Sequence, residues 1–395
     1  MELGEMLRDL EVLVGCESFS ADLAAVARSA EVVGGLGRRL LGVEAETVLI
    51  DGVSHLRWCF GTPRVLLLGH HDTVWPLGTL ERKPWSVVDG VARGPGVFDM
   101  KAGLVQMFHA VAGLPSRDGV CVLVTGDEEL GSPTSRGLIE ETARECVAAF
   151  VMEASADGGT LKVARKGTSN YELVVHGRGA HAGLEPAKGV NAAVELAHQV
   201  LALDGLAERV NGAGMGTGGG YGNPKAAERN PDPGTGAAEG YGDLGPVTVT
   251  PTVLSAGTTS NTVPASGRVA VDVRVPTVAA QLRVDELIRG LRPQVEGTRL
   301  EVLGGPNRPP LEPGSSAELF ALAQRVAAGL GLPPLRGAGV GGASDGNFTA
   351  GVGCPTLDGL GAVGGGAHAE SEHVVVAEMP RRAALLRGLI EAVCA

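Results

Sequence analysis

The chain has 395 residues, 44% of them hydrophobic and 20% charged, with a formal net charge of −12. That length suits about two domains. The acidic balance speaks against a nucleic-acid partner, no basic run suits a membrane surface, and no apolar stretch reaches the ~18 residues of a membrane span.

The acidic start, Met1-Glu2-Leu3-Gly4-Glu5, lacks the basic end and apolar core of a signal peptide, which predicts a cytoplasmic protein. Apolar residues recur at helical spacing over 2–16 and 20–41. Val48–Ile50 and His55–Trp58 read as strands. Val65–Leu68, Val120–Val124 and Ala148–Met152 are unbroken apolar runs, as expected of strands buried on both faces. Helical segments at 101–114 and 134–146 lie between the later runs, so the pattern predicts an α/β sheet with helices on both sides. Cys121 and Cys146, in or beside these runs, read as reduced core thiols, with no framework spacing among the six cysteines.

Near residue 169 the texture changes. A strand at 169–176, a helix at 190–203 and strands at 247–254 and 268–275 predict an α+β insert over 169–278. Within it, residues 211–245 are rich in Gly, Pro and Asn and are expected to form a mobile loop. Its literal G-x-G-x-x-G at Gly214, Gly216 and Gly219 has neither the strand before nor the helix after that a dinucleotide site requires. A helix at 280–292, a strand at 299–303 and helices at 315–330 and 378–394 are read as the return of the first layer. The catalytic domain is thus expected over 1–168 and 279–395.

Ligands of open α/β sheets bind beyond the carboxyl ends of the strands. Three of the apolar runs end on metal-type residues: His70 in Gly69-His70-His71-Asp72, Glu129 in Gly126-Asp127-Glu128-Glu129, and Glu153 in Val151-Met152-Glu153. Asp99, in Phe98-Asp99-Met100-Lys101, and His368, in Gly366-Ala367-His368, complete five. Carboxylates gathered in this way repel unless a cation neutralises them. Taken alone, Asp99 reads equally as a helix N-cap, and Glu128-Glu129 as a solvated turn. His70 and Asp72 share one face of an extended segment, so the carboxylate can orient the ring, while His71 points away. Adjacent Glu128 and Glu129 divide the work, Glu129 on metal and Glu128 on the attacking water as general base. A pair of ions needs a bridging carboxylate, for which Asp99 is suited. Oxygen and nitrogen donors without Cys suit zinc, with Mn or Co able to substitute.

These motifs, in this order and spacing, resemble the di-zinc metallopeptidase family of glutamate carboxypeptidase, aminoacylase, acetylornithine deacetylase and succinyl-diaminopimelate desuccinylase, and most of all the glutamate carboxypeptidase branch. Gly94-Pro95-Gly96-Val97-Phe98-Asp99-Met100-Lys101 and Gly126-Asp127-Glu128-Glu129 carry the likeness in combination. The resemblance implies a zinc-peptidase-like catalytic domain, a mixed sheet flanked by helices, with an inserted lid and dimerisation domain. It implies two zinc ions per subunit, one on His70, Asp99 and Glu153, the other on Asp99, Glu129 and His368, with a cis peptide after Asp99. It further implies a homodimer in which His181, in Gly179-Ala180-His181, reaches the neighbouring subunit's site to stabilise an oxyanion. Asn261 resembles the family's substrate-contacting Asn, Arg274 the Arg that grips a substrate carboxylate, and Gly341-Gly342 a loop whose amides contact substrate. Ala102 and Met100 depart from the residues that many relatives carry, and neither position supplies a ligand.

The expected activity is hydrolysis of an amide beside a free carboxylate in a small-molecule substrate, by a carboxypeptidase or an N-acyl amino acid amidohydrolase. A deacetylase or desuccinylase of the same mechanism, or a non-catalytic binding protein on the same fold, are the alternatives. A rival enzyme reading comes from Gly342-Ala343-Ser344-Asp345-Gly346, a literal G-x-S-x-G followed by Asp358, His368 and His373. A nucleophile elbow must follow a strand. Gly337–Gly341 is read as no strand, which argues against it.

Overall fold

The computed structural model describes residues 2–212 and 244–395. The chain divides into two compact units, 1–165 with 311–395, and 166–310. The first unit opens with helices α1 (Leu3–Gly15) and α2 (Leu23–Leu41), the latter capped by the Asp22 side chain accepting from the Ala25 amide. Strands β1 (Glu46–Ile50), β2 (Val53–Cys59) and β3 (Val65–His70) follow, then α3 (Ala102–Ala112), β4 (Val120–Thr125), α4 (Arg136–Arg144) and β5 (Ala148–Val151). After the second unit the chain returns through α7 (Pro313–Gly329), a short strand Thr356–Leu357 and α8 (Met379–Cys394). Helices α5 and α6 belong to the second unit and are introduced with it.

In space the main sheet runs β1-β2-β4-β3-β5, closed by Thr356–Leu357. β1, β2 and β4 pair antiparallel, and β4, β3, β5 and the last strand pair parallel. The sheet is therefore mixed, as expected. The unbroken apolar runs follow from burial of both faces. Val65 and Leu67 enter one core with Val122, Val124 and Phe150, while Leu66 and Leu68 enter the opposite one with Leu123 and Val151. Parallel register aligns Val65 with both Val120 and Ala148, so β3, β4 and β5 end at one edge. That edge receives His70, Glu128-Glu129 and Glu153.

Three readings are corrected here. Cys121 is not a reduced thiol: β2 and β4 are antiparallel neighbours that set it opposite Cys59, with Cα atoms 4.1 Å apart, and the two form a disulfide. Such bonds persist mainly in oxidising compartments. Cys146 is free and buried as expected, its thiol pushed up to about 11 by burial. Second, Gly337–Val340 is a strand, paired parallel with Leu161–Arg165. Its Gly-Ala-Gly composition hides it, since strand formation there rests on backbone pairing rather than on an apolar side-chain pattern. Third, Asp99 is not a helix cap, for α3 begins at Ala102 with Lys101 as its cap.

The second unit is an antiparallel sheet of β6 (Gly167–His176), β7 (Thr248–Ala256), β8 (Ser266–Val275) and β9 (Arg299–Arg308), ordered β7-β8-β6-β9. Helices α5 (Ala192–Asp204) and α6 (Val278–Arg289) pack on it. Alternate residues Tyr171, Leu173 and Val175 of β6, and Val269, Val271 and Val273 of β8, bury one face. This unit extends past the expected boundary at 278. β9 pairs with β6 along its length, and Val284 and Ile288 of α6 join the same core, so both elements belong here rather than to the first layer. The loop expected over 211–245 lies, for 213–243, outside the described residues. Among the described residues no helix is long and apolar enough to cross a membrane.

Candidate metal centre

His70 ends β3, is 1% exposed, and aims its ring at two carboxylates. Nε2 lies 3.4 Å from Asp99 Oδ1 and 3.6 Å from Glu153 Oε1. On the other side of Asp99, Oδ2 lies 3.3 Å from His368 Nε2, which is 3.2 Å from Glu129 Oε1. Asp99 thus turns one oxygen to each imidazole. Donor atoms 2.0–2.2 Å from a tetrahedral ion stand roughly 3.4 Å apart. The observed separations match that spacing. Buried His70 Nε2 and Asp99 Oδ1 have no hydrogen-bond partner, a costly state unless a cation takes both. Two groups, His70 with Asp99 and Glu129, and His70 with Glu128 and Glu153, bring ligand atoms within 4.8 Å of one another. All-oxygen-and-nitrogen donors with orphaned lone pairs fit a divalent metal.

The protonation states tell the same story. Hydrogen bonds to Asp99 and Glu129 push His368 up to about 10. Burial opposes a charged His70, but contacts with Asp72, Asp99 and Glu153 outweigh it and raise its pKa well above the usual value. Burial likewise works against ionised Asp99, and the two imidazoles overcome it and hold the carboxyl below its usual range.

Each ligand is held from behind. His70 Nδ1 is 3.0 Å from the backbone carbonyl of Asp72, closer than the Asp72 carboxylate at 3.4 Å. The carbonyl therefore fixes the ring with Nε2 as acceptor. The Asp72 carboxylate, fully buried, accepts from Ser20 Oγ and from the Glu128 and Glu129 amides, which locks the acidic turn against β3. Asp127 accepts from Thr134 and Ser135 and secures the far side of that turn. His71 faces away, its Nε2 on the Ser54 carbonyl, as expected. The peptide between Asp99 and Met100 is cis.

Sequence reasoning missed three supports. Arg165 grips Asp358 with two nitrogens, at 2.7 and 3.1 Å, and lies 3.5 Å from Glu153; Lys162 is 3.9 Å from the same carboxylate. Glu372, fully buried, accepts from the amides of Gly96, Phe98 and Asp99 and from Trp75 Nε1. It fixes the backbone that presents Asp99. The signal for Glu372 was an acid four residues after His368, which sequence alone cannot tell from a surface charge.

The remaining expected residues are placed as follows. Glu128 is 8% exposed, beside His70 and Glu153. In the second unit, His181 pairs with Thr262, and the Ala182 amide donates to the Asn261 carbonyl, so His181 and Asn261 meet across one short antiparallel pairing of distant segments. His181 Nδ1 accepts from the Gly183 and Leu184 amides, which puts its proton on Nε2. Arg274, on β8, is paired with Asp272 at 2.9 Å. Gly341 and Gly342 are exposed in the first unit, and the Gly342 carbonyl accepts from Arg165. Ser344 does stand between a strand and the helix Gly346–Gly351, so the elbow context is met. Yet its hydroxyl is buried and donates to Asp358 Oδ2 at 2.6 Å, while His368 is engaged with Asp99 and Glu129 and His373 Nδ1 with the Ser371 carbonyl. No Ser–His pairing is made.

A carboxylate–imidazole cluster at the carboxyl edge of a mixed sheet defines a metal-dependent hydrolase of the metallopeptidase and amidohydrolase class. The chain belongs to peptidase family M20/M25/M40, whose model matches residues 66–392. It is 27% identical over 349 residues to carboxypeptidase G2 of Pseudomonas sp. strain RS-16, covering 84% of this chain and 74% of that one. It is 26% identical over 376 residues to the succinyl-diaminopimelate desuccinylase of Phenylobacterium zucineum, covering 89% of each. The M20 family metallo-carboxypeptidase Sso-CP2 from Sulfolobus solfataricus superposes with a TM-score of 0.72 at 17% identity, covering 100% of this chain and 99% of that one. At that identity the likeness speaks for the fold alone.

Removing Glu372 frees the backbone beneath Asp99. Glu372→Ala is expected to weaken divalent-metal binding about 10–100-fold in calorimetric titration, with a native circular-dichroism spectrum. Glu372→Gln, which keeps one acceptor oxygen, should lose less. Wild-type metal affinity in a folded Ala variant would refute the role.

Proposed function

We propose that the protein is a zinc-dependent amidohydrolase of the glutamate carboxypeptidase type, cleaving an amide bond beside a free carboxylate of a small-molecule substrate. The observation that carries this is Asp99, turning one oxygen toward His70 and the other toward His368. His70, Asp99 and Glu153 make one ligand set, and Asp99, Glu129 and His368 the other. Nitrogen and oxygen donors suit zinc, with cobalt or manganese able to replace it. Such a pair, when bound, polarises the amide carbonyl and makes water acidic at neutral pH.

The chain's own groups do the rest. Glu128, whose carboxylate lies beside His70 and Glu153, takes the proton of the attacking water and delivers it to the leaving amine. Asp72 orients His70 through its carbonyl and holds Glu128 and Glu129 through its carboxylate. His181, with its proton on Nε2, is the right tautomer to donate to an oxyanion. Arg274 offers a planar fork to a substrate carboxylate once Asp272 yields it, with Asn261 and the Gly341-Gly342 amides as further substrate contacts. The likeness to carboxypeptidase G2 over 84% of the chain supports this reading. A desuccinylase or deacetylase using the same residues is the second reading, supported by the likeness to succinyl-diaminopimelate desuccinylase.

The protein is further proposed to work as a homodimer. Edge strand β7 exposes Val253 (69%) and Leu254 (50%), and α5 exposes Leu201 (72%), an apolar edge of the kind that pairing covers.

Glu128→Gln should retain two zinc ions by elemental analysis while turnover of N-acyl amino acids falls by at least about 10²-fold; undiminished turnover removes Glu128 as base. Arg274→Lys should raise KM for carboxylate substrates about tenfold with little change in Tm. An equal loss on the matching uncharged amide would refute the anchor. Sedimentation velocity is expected to give a dimer that Leu254→Asp converts to monomer, and a wild-type monomer at all concentrations excludes the assembly.

A further inference from the structure

A cavity lies in the first unit, and none of the clustered carboxylates lines it. It encloses about 380 Å³ between the first turn of α8, the turn at Asp157–Gly159 and the segment Leu332–Arg336 that follows α7. That volume is within the range of small-molecule sites. Its lining combines apolar residues, among them Leu332, Pro334, Leu335, Val363 and Leu385, with three arginines, Arg336, Arg381 and Arg382, against a single acidic residue, Glu378. In a chain of net charge −12, such a local positive excess does not follow from composition.

The three arginines are differently held. Arg382 is 5% exposed and donates to the carbonyls of Gly361, Gly159 and Gly359, so its charge is buried against neutral partners. Burial pushes it down to about 10, with Glu378 acting the other way. Arg381 pairs with Glu378 at 2.6 Å, which leaves that carboxylate little to offer elsewhere. Arg336 faces the cavity with no carboxylate among the described residues paired to it. Arg381 and Arg382 also sit in the first turn of a 16-residue helix, where the peptide dipoles disfavour cations and favour anions. The lining thus carries three arginines against one carboxylate, and that carboxylate is already paired with Arg381.

We infer that this cavity is a binding site for a small organic carboxylate: the head group meets the fork of Arg336 and the free nitrogens of Arg381, and an apolar body lies on the Leu332–Leu335 wall. A guanidinium pair suits a planar carboxylate through parallel N–H bonds. The site also abuts the metal centre's scaffold. Arg382 Nε holds the Gly361 carbonyl, and the Gly361 amide donates to the backbone carbonyl of Glu153 at 2.8 Å.

The test is calorimetric titration of the intact, metal-loaded protein with phenylacetate, phenylacetamide and inorganic phosphate. It is repeated on Arg336→Ala/Arg381→Ala and on Arg336→Lys/Arg381→Lys; Arg336 and Arg381 are exposed, so both variants should keep the wild-type melting curve. Phenylacetate should bind the wild type, phenylacetamide should not, and the Ala pair should weaken phenylacetate at least about tenfold, the Lys pair, which keeps the charge but not the planar fork, losing less than the Ala pair. Equal affinity in the wild type and the Ala pair assigns the binding to another place, such as the metal centre, and overturns the site. So does the absence of binding up to about 10 mM. Phosphate binding more tightly than phenylacetate overturns the organic body.

Discussion

Carboxylates crowd one edge of the central sheet. Asp72, Glu128, Glu129 and Glu153 lie at the carboxyl ends of parallel strands or in the turns beside them, Asp99 joins them from the segment before α3, and most are buried. Like charges at such distances, in a poorly solvating interior, repel strongly unless cations intervene. Two imidazoles, Arg165 and Lys162 stand among them, and the raised protonation of His70 and His368 records how far the field reaches. The fold tolerates the cluster because a divalent pair can replace those protons, and the surrounding architecture is organised to present the ligands to it.

That presentation is made by groups that never touch the metal positions. Asp72 ties the end of β3 to the acidic turn after β4. Glu372 gathers the amides of Gly96, Phe98 and Asp99 itself and so sets the one carboxylate that faces both imidazoles. Arg165 joins Glu153 to Asp358, and Asp358 in turn takes the Ser344 hydroxyl. Removing any of these leaves a buried acceptor or donor unmatched, and such losses cost more than the hydrogen bond itself is worth.

How far the sequence could be read depended on the kind of signal. Unbroken runs such as Val65–Leu68 announce strands covered on both faces, and the metal-type residues at their ends follow from parallel register. Elements whose stability rests on backbone pairing were not legible. Gly337–Val340 has almost no side-chain pattern, yet pairs with Leu161–Arg165. Its presence removes the local objection to a nucleophile elbow at Ser344, and only the tertiary partner of that hydroxyl, Asp358, settles its role as structural. Likewise Cys59 and Cys121 lie 62 residues apart and meet only because β2 and β4 are neighbours.

The sequence by itself determined the alternation of strand and helix, the five metal-type residues and the acid that stands beside them, because hydrophobic periodicity and residue chemistry are local properties. Tertiary structure alone decided which oxygen of Asp99 faces which imidazole, that Glu372 fixes that carboxylate, that α6 and β9 belong with the second unit, and that three arginines share one cavity. Those outcomes depend on pairing and burial between segments far apart in the chain, and no local pattern encodes where such segments meet.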